Sequence, residues 1–275
     1  FELQKLGTLE RPTIVGTARG TGGGASLMLN GHLDTVGVAG YEGDPFSAEV
    51  RDGCVYGRGA FDMKAGAAAI MVAAARAASA KLAGDVIVTL VSDEEFNSVG
   101  TQEALAAVTA DAAIITEPSE LNLVLAHRGF AWFEIELRGV AAHGSMPHQG
   151  VDAIAHAGLV LRALDDLRAR FESAAPHPLL GRSAVRVSMI AGGSDAATVA
   201  DSCTLTVERR MLPGETPRSV ETELRALLEA LAESTAGFDF ELRTLVARGA
   251  FEADADWPIV RAVADAAERV LGAPA

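Results

Sequence analysis

The chain has 275 residues and is 49% apolar, which excludes wholesale disorder and provides for one large domain or two ordinary ones. Lys plus Arg number 23 against 37 Asp plus Glu, and the formal net charge of -14 argues against a nucleic-acid or anionic-membrane partner while suiting a cation-binding protein. The two cysteines, Cys54 and Cys203, supply neither a disulfide framework nor a thiolate zinc site, and a reducing cytoplasm is the simplest location.

No signal peptide is visible. Residues 12–18 and 25–30 read as strands, joined by Arg19-Gly-Thr-Gly-Gly-Gly24. A dinucleotide fingerprint would need a helix to start at those glycines, but the strand-like Ser26-Leu-Met-Leu29 follows, so the run reads as a flexible hairpin turn. The alanine-rich stretch 65–80 contains Arg76, is flanked by Lys64 and Lys81, and is short for a membrane span, so it reads as a soluble helix over 64–82. A strand at 85–91, a helix at 101–108 and a strand at 111–116 follow. From about residue 123 the order becomes strand 130–138, helix 151–171, strands 184–191 and 203–209, helix 217–233 and strand 238–246, the plan of a ferredoxin-like domain. A last helix, 257–271, is expected to return to the first domain. The fold class expected is α/β with a mixed sheet, flanking helices and an inserted α+β domain. The expected divisions are 1–123, 124–247 and 248–275.

Acidic or histidine-containing turns sit at the C-terminal ends of three strands, at the sheet edge where ligands collect in open α/β folds. Four segments carry the candidate donors: His32 and Asp34; Asp62; Asp93, Glu94 and Glu95; and Glu117. Taken singly, each has a plain explanation. A strand-end histidine is more often structural, Asp62 reads as the N-cap of the long helix, Glu117 before Pro118 as a solvated turn residue, and the acid run as a loop or a first helical turn. Taken together, one histidine and several carboxylates without cysteine form the donor inventory of a catalytic divalent-metal site.

The strings Gly31-His-Leu-Asp-Thr-Val36, Tyr56-Gly-Arg-Gly-Ala-Phe-Asp-Met-Lys64, Asp93-Glu-Glu95 and Thr116-Glu-Pro118 resemble the M20 metallopeptidase/amidohydrolase family. That family includes acetylornithine deacetylase, succinyl-diaminopimelate desuccinylase, glutamate carboxypeptidase and aminoacylase. The resemblance implies a zinc-peptidase-like catalytic domain with a lid or dimerisation domain, two Zn2+ per subunit (Co2+ or Mn2+ being able to substitute), and a homodimer formed through the lid. It implies that His32 binds one zinc, Asp62 bridges the two, Glu95 binds one and Glu117 the other. Asp34 would orient His32, and Glu94 would be the general base towards a metal-bridging water. In the second domain, Arg138-Gly-Val-Ala-Ala-His-Gly-Ser145 resembles the lid segment whose histidine, here His143, stabilises the oxyanion in the partner's active site. Arg210, in Arg210-Met-Leu-Pro213, matches an arginine that holds a substrate carboxylate. Without the resemblance, His143 reads as a loop histidine and Arg210 as a surface charge. The family's asparagine after the loop at Gly192-Gly193 has no counterpart in Thr198-Val-Ala-Asp-Ser-Cys203, so that substrate contact is not expected.

The expected activity is hydrolysis of an amide bond in an N-acyl amino acid or small peptide with a free carboxylate. The alternatives are a carboxypeptidase or dipeptidase with the same site, or a non-catalytic fragment serving as a dimerisation module. The chain starts at Phe1 and ends at Ala275 straight after a helix-like segment, so both ends read as cut. The last histidine ligand of the family has no counterpart, so weak binding at one metal position is expected of this chain.

Overall fold

The computed structural model describes residues 2–273. The chain divides into two compact units, one formed by residues up to Leu123 together with those from Ala264 onward, the other by Val124–Val263.

The first unit contains β1 (Glu2–Gly7), β2 (Pro12–Ala18), β3 (Leu27–His32), the small hairpin β4 (Glu49–Arg51) and β5 (Cys54–Tyr56), α1 (Ala65–Ser79), β6 (Val86–Val91), α2 (Glu94–Asn97), α3 (Val99–Ala107) and β7 (Ala112–Ile115). Five strands form one sheet in the order β1-β2-β6-β3-β7. β3 lies parallel to both β6 and β7, whereas β1, β2 and β6 pair antiparallel in succession. β6 is buried on both faces, which is why its sequence is almost continuously apolar. Its alternate residues serve different layers: Val86 and Val88 pack with Ile70 and Ala74 of α1, while Ile87 and Val91 pack with Ala104 of α3. The sheet is thus covered by α1 on one face and α3 on the other. Because β3, β6 and β7 are parallel, their C-terminal ends share one edge, and the chain turns there after His32, Val91 and Ile115.

The glycine run is not a hairpin turn, since β6 stands between β2 and β3. Thr21 and Gly22 donate their N–H groups to the carbonyls of Leu82 and Ala83. A Cβ on Gly20 or Gly24 would come within 2.5 Å of the Gly84 backbone, so glycine is required for two chain segments to lie against each other.

The second unit contains β8 (Ala126–His127), β9 (Gly129–Arg138), α4 (Ala153–Ser173), β10 (Ala184–Gly192), β11 (Ser202–Met211), α5 (Pro217–Ser234), β12 (Asp239–Arg248) and β13 (Phe251–Glu252); α6 (Pro258–Leu271) runs across the division. The four long strands form an antiparallel sheet in the order β10-β11-β9-β12, the ferredoxin-like arrangement that the element order predicts. In β9, Ala131, Phe133, Ile135 and Leu137 face a core completed by Val160, Leu164 and Leu167 of α4 and by Val220, Leu224 and Leu228 of α5. Asp152 caps α4 by accepting from the N–H groups of Ile154 and Ala155, and Thr216 with Ser219 forms a reciprocal cap on α5 ahead of Pro217. Among the described residues, no helix is long and apolar enough to cross a membrane.

Candidate metal centre

His32 is the last residue of β3 and only 2% exposed. Its Nδ1 lies 2.9 Å from the backbone carbonyl oxygen of Asp34. A carbonyl only accepts, so Nδ1 carries the proton, and in the neutral ring Nε2 presents a lone pair. That lone pair faces carboxylates: Asp62 Oδ1 at 3.0 Å, Glu117 Oε1 at 3.6 Å and Glu94 Oε2 at 4.0 Å. Acceptors facing acceptors at such distances call for a proton or a cation between them.

Asp62 does not cap α1. It stands in the irregular turn Ala60–Lys64 with extended backbone angles and a cis peptide to Met63, while the residue flanking the helix is Lys64. The turn is clasped to the His32 strand by its next two residues. The fully buried Met63 offers its sulfur to the His32 N–H at 3.2 Å, and Lys64 Nζ donates to the Leu33 carbonyl at 3.0 Å. Gly31 makes this approach possible, because a Cβ there would stand 2.8 Å from Met63 Cε. The sequence gives no sign of the roles of Met63 and Lys64, although they are the two residues that follow Asp62.

Glu94 and Glu95 open the short helix α2. The Asp34 carboxylate accepts from both of their N–H groups, at 3.2 Å each, and stands 3.7 Å from His32 Nδ1. Asp34 therefore meets the imidazole through its carbonyl and caps α2 with its side chain. Asp93, in the left-handed conformation (φ 58°), is paired with Arg11 at 2.6 Å. The three consecutive acids are thus held differently, Asp93 by an arginine and the other two by a helix start turned towards His32.

Burial is the largest cause raising Glu117, whose carboxyl is pushed up to about 7; His32 opposes the rise, and Glu94, Asp62 and Glu95 add to it. Glu94 is raised first by burial, against His32, with Glu95, Asp34 and Asp62 adding to the rise. Burial alone would lower His32, but the Asp34 carbonyl, Glu117, Asp62 and Glu94 raise it overall.

Two donor sets emerge with ligand atoms all within 4.8 Å of one another: His32 with Asp62 and Glu95, and His32 with Glu94 and Glu117. Imidazole nitrogen and carboxylate oxygen are the donors that Zn2+, Co2+ and Mn2+ accept, and the opposed lone pairs at His32 fit a bound cation. Glu94 falls inside a donor set, so proximity alone does not separate a base from a ligand.

His143 and Arg210 belong to the second unit. His143 is exposed, and its Nδ1 accepts the Ser145 N–H at 3.2 Å beside the Ser145 hydroxyl at 2.8 Å, which in the neutral ring leaves Nε2 as the donor. Arg210 pairs with Glu208 at 2.6 Å and lies over the Phe130 ring.

Residues 28–274 match the peptidase family M20/M25/M40. An acetylornithine deacetylase from Myxococcus xanthus is 30% identical over 266 residues, covering 94% of this chain and 69% of the relative. In structure, the aminopeptidase PepT from Bacillus cereus aligns with a TM-score of 0.76 at 21% identity, covering 100% of this chain and 74% of that one. The YXEP protein from Bacillus subtilis, a dinuclear metal-binding peptidase from the M20 family, aligns with a TM-score of 0.64 at 16% identity over 98% and 70% of the two chains. The chain belongs to peptidase family M20/M25/M40, and it is a hydrolase of the metal-dependent amidohydrolase and metallopeptidase class.

Proposed function

We propose that the protein hydrolyses the amide bond of an N-acyl amino acid, with His32, Asp62, Glu95 and Glu117 holding two divalent ions, Zn2+ foremost, and Glu94 acting as general base. The observation that carries this reading is the buried His32, whose Nε2 is ringed by three carboxylates from three separate turns. The similarity to acetylornithine deacetylase supports an acylated amino acid with a free carboxylate as the substrate class.

Ions held at these residues supply the Lewis acidity that polarises the scissile carbonyl and acidifies water. Asp62, with an oxygen 3.0 Å from His32 Nε2, groups with His32 and Glu95, and would be the bridging carboxylate that the family resemblance implies. Glu94 takes a proton from the attacking water and passes it to the leaving amine; its partial burial, which already favours the protonated carboxyl, suits a group that must hold a proton between the two steps. As the family resemblance implies, His143 would offer Nε2–H to the oxyanion developing in the partner's active site, and Arg210 would hold a substrate carboxylate. A homodimer formed through the second unit and a cytoplasmic location, in keeping with the unpaired thiols of Cys54 and Cys203, complete the proposal.

The test is a panel of acetylornithine, succinyl-diaminopimelate and dipeptides against wild type and Glu94→Gln, with metal content measured for both. The expected result is turnover of an acylated amino acid by wild type and a loss of about a thousandfold in kcat in the variant at unchanged metal content. Equal turnover in the two proteins would remove Glu94 from the mechanism, and turnover of dipeptides alone would move the protein to the dipeptidases.

A further inference from the structure

Arg11 lies outside the segment that matches the family and outside every motif read in the sequence. The topology brings it to the centre. β2 runs antiparallel to β6, so the residue just before β2 lies beside the residues just after β6. The juxtaposition is fixed twice over: Thr13 at the start of β2 exchanges side-chain and backbone hydrogen bonds with Ser92 at 3.3 Å, and Arg11 reaches Asp93 at 2.6 Å. The turn before β2 is itself closed by the Arg11 N–H donating to the Thr8 hydroxyl at 3.1 Å.

Asp93 occupies left-handed backbone space, which an aspartate tolerates better than most residues but still at some cost. Its side chain is 10% exposed and would otherwise add a third negative charge beside Glu94 and Glu95. The bend at Asp93 sets where α2 begins, and α2 carries both glutamates. We infer that Arg11 is a positioning residue, whose pairing with Asp93 fixes this bend and frees Glu94 and Glu95 for the proton and the metal; the inference rests on the metal reading proposed above. Arg11, Asp93, Asp34 and Glu95 line one open cavity of about 430 Å3. Water reaches the pair there, so its effect is modest and salt-dependent rather than absolute.

The probe is Co2+ titrated into the metal-free 275-residue chain and followed by its visible absorbance, for wild type, Arg11→Ala, Arg11→Lys and Asp93→Asn. Asn keeps the tolerance for left-handed backbone and removes only the charge. Arg11→Ala and Asp93→Asn are expected to weaken Co2+ binding about three- to tenfold and to alter the spectrum, with kcat falling more than KM rises. Arg11→Lys is expected to recover part of both effects. Arg11→Ala and Asp93→Asn that match wild type in affinity, spectrum and kcat would overturn the inference alone. A wild-type chain that takes up no Co2+ would overturn the metal reading and this inference with it. If Arg11→Ala does not fold, Asp93→Asn and Arg11→Lys decide the matter by the same readouts.

Discussion

His32, Glu94 and Glu117 all hold their protons more tightly in the folded protein than they would free in water, so they share one sign of pH dependence. For Glu117 the ordinary value is 4.5 and the folded value about 7. Its protonated form therefore contributes stability that is complete below 4.5 and is lost as pH rises through about 7. Asp85 and Asp111 are shifted the other way, but their contribution is already complete above about pH 5, being set by an ordinary value of 3.8. The metal-free protein is accordingly expected to lose denaturant midpoint between pH 5 and pH 8, and Zn2+ is expected to become tighter over the same interval because it displaces those protons. A midpoint that climbs with pH in the metal-free protein would contradict the crowding of carboxylates around His32. The glutamates and His32 were legible in the sequence because each follows an apolar run. Their partners were not: Arg11 is 82 positions from Asp93, and nothing local marks the Asp34 carbonyl, rather than its carboxylate, as the acceptor for the imidazole.

At the level of elements, period-two burial and helix caps made the second unit readable. β9 alternates along its whole length, and Asp152 and Thr216 mark the two helix starts. What escaped was short or depended on distant pairing: β1 is mostly exposed, β4 and β5 have three residues each, and β8 and β13 have two. The glycine run was misread as a hairpin because its spatial neighbour, the turn at Leu82–Gly84, lies some sixty residues further along the chain. That close packing gives a direct test. A Cβ at Gly84 would stand 1.8 Å from the Ala25 carbonyl oxygen, so Gly84→Ala is expected to destabilise the protein by about 2–3 kcal/mol in urea unfolding. Gly22, where a Cβ meets nothing but φ is +100°, is expected to cost less on the same substitution, about 1 kcal/mol. The reverse ranking would mean that backbone conformation, rather than the contact between the two segments, explains the glycines.

At the scale of the molecule, the apolar cores share no residues. One joins β9–β12 to α4 and α5, while the others lie on the two faces of the first unit's sheet. Every residue proposed to bind metal comes from the first unit: His32, Asp62, Glu95 and Glu117. A ligand that binds only the folded form stabilises the unit that supplies its donors, by about 2.7 kcal/mol when the free ion is at a hundred times its Kd. For a unit of this size that corresponds to a rise of roughly 10 °C in its own midpoint. Calorimetry of the metal-free chain is therefore expected to resolve two transitions, and Zn2+ is expected to move one of them while leaving the other in place. Tryptophan signal assigns them, since both tryptophans, Trp132 on the sheet and Trp257, fall within the second unit and should report the unmoved transition. If Zn2+ instead shifted a single transition followed equally by calorimetry and by the tryptophan signal, the two units would unfold as one cooperative body, and the separate cores would not be separate units of stability.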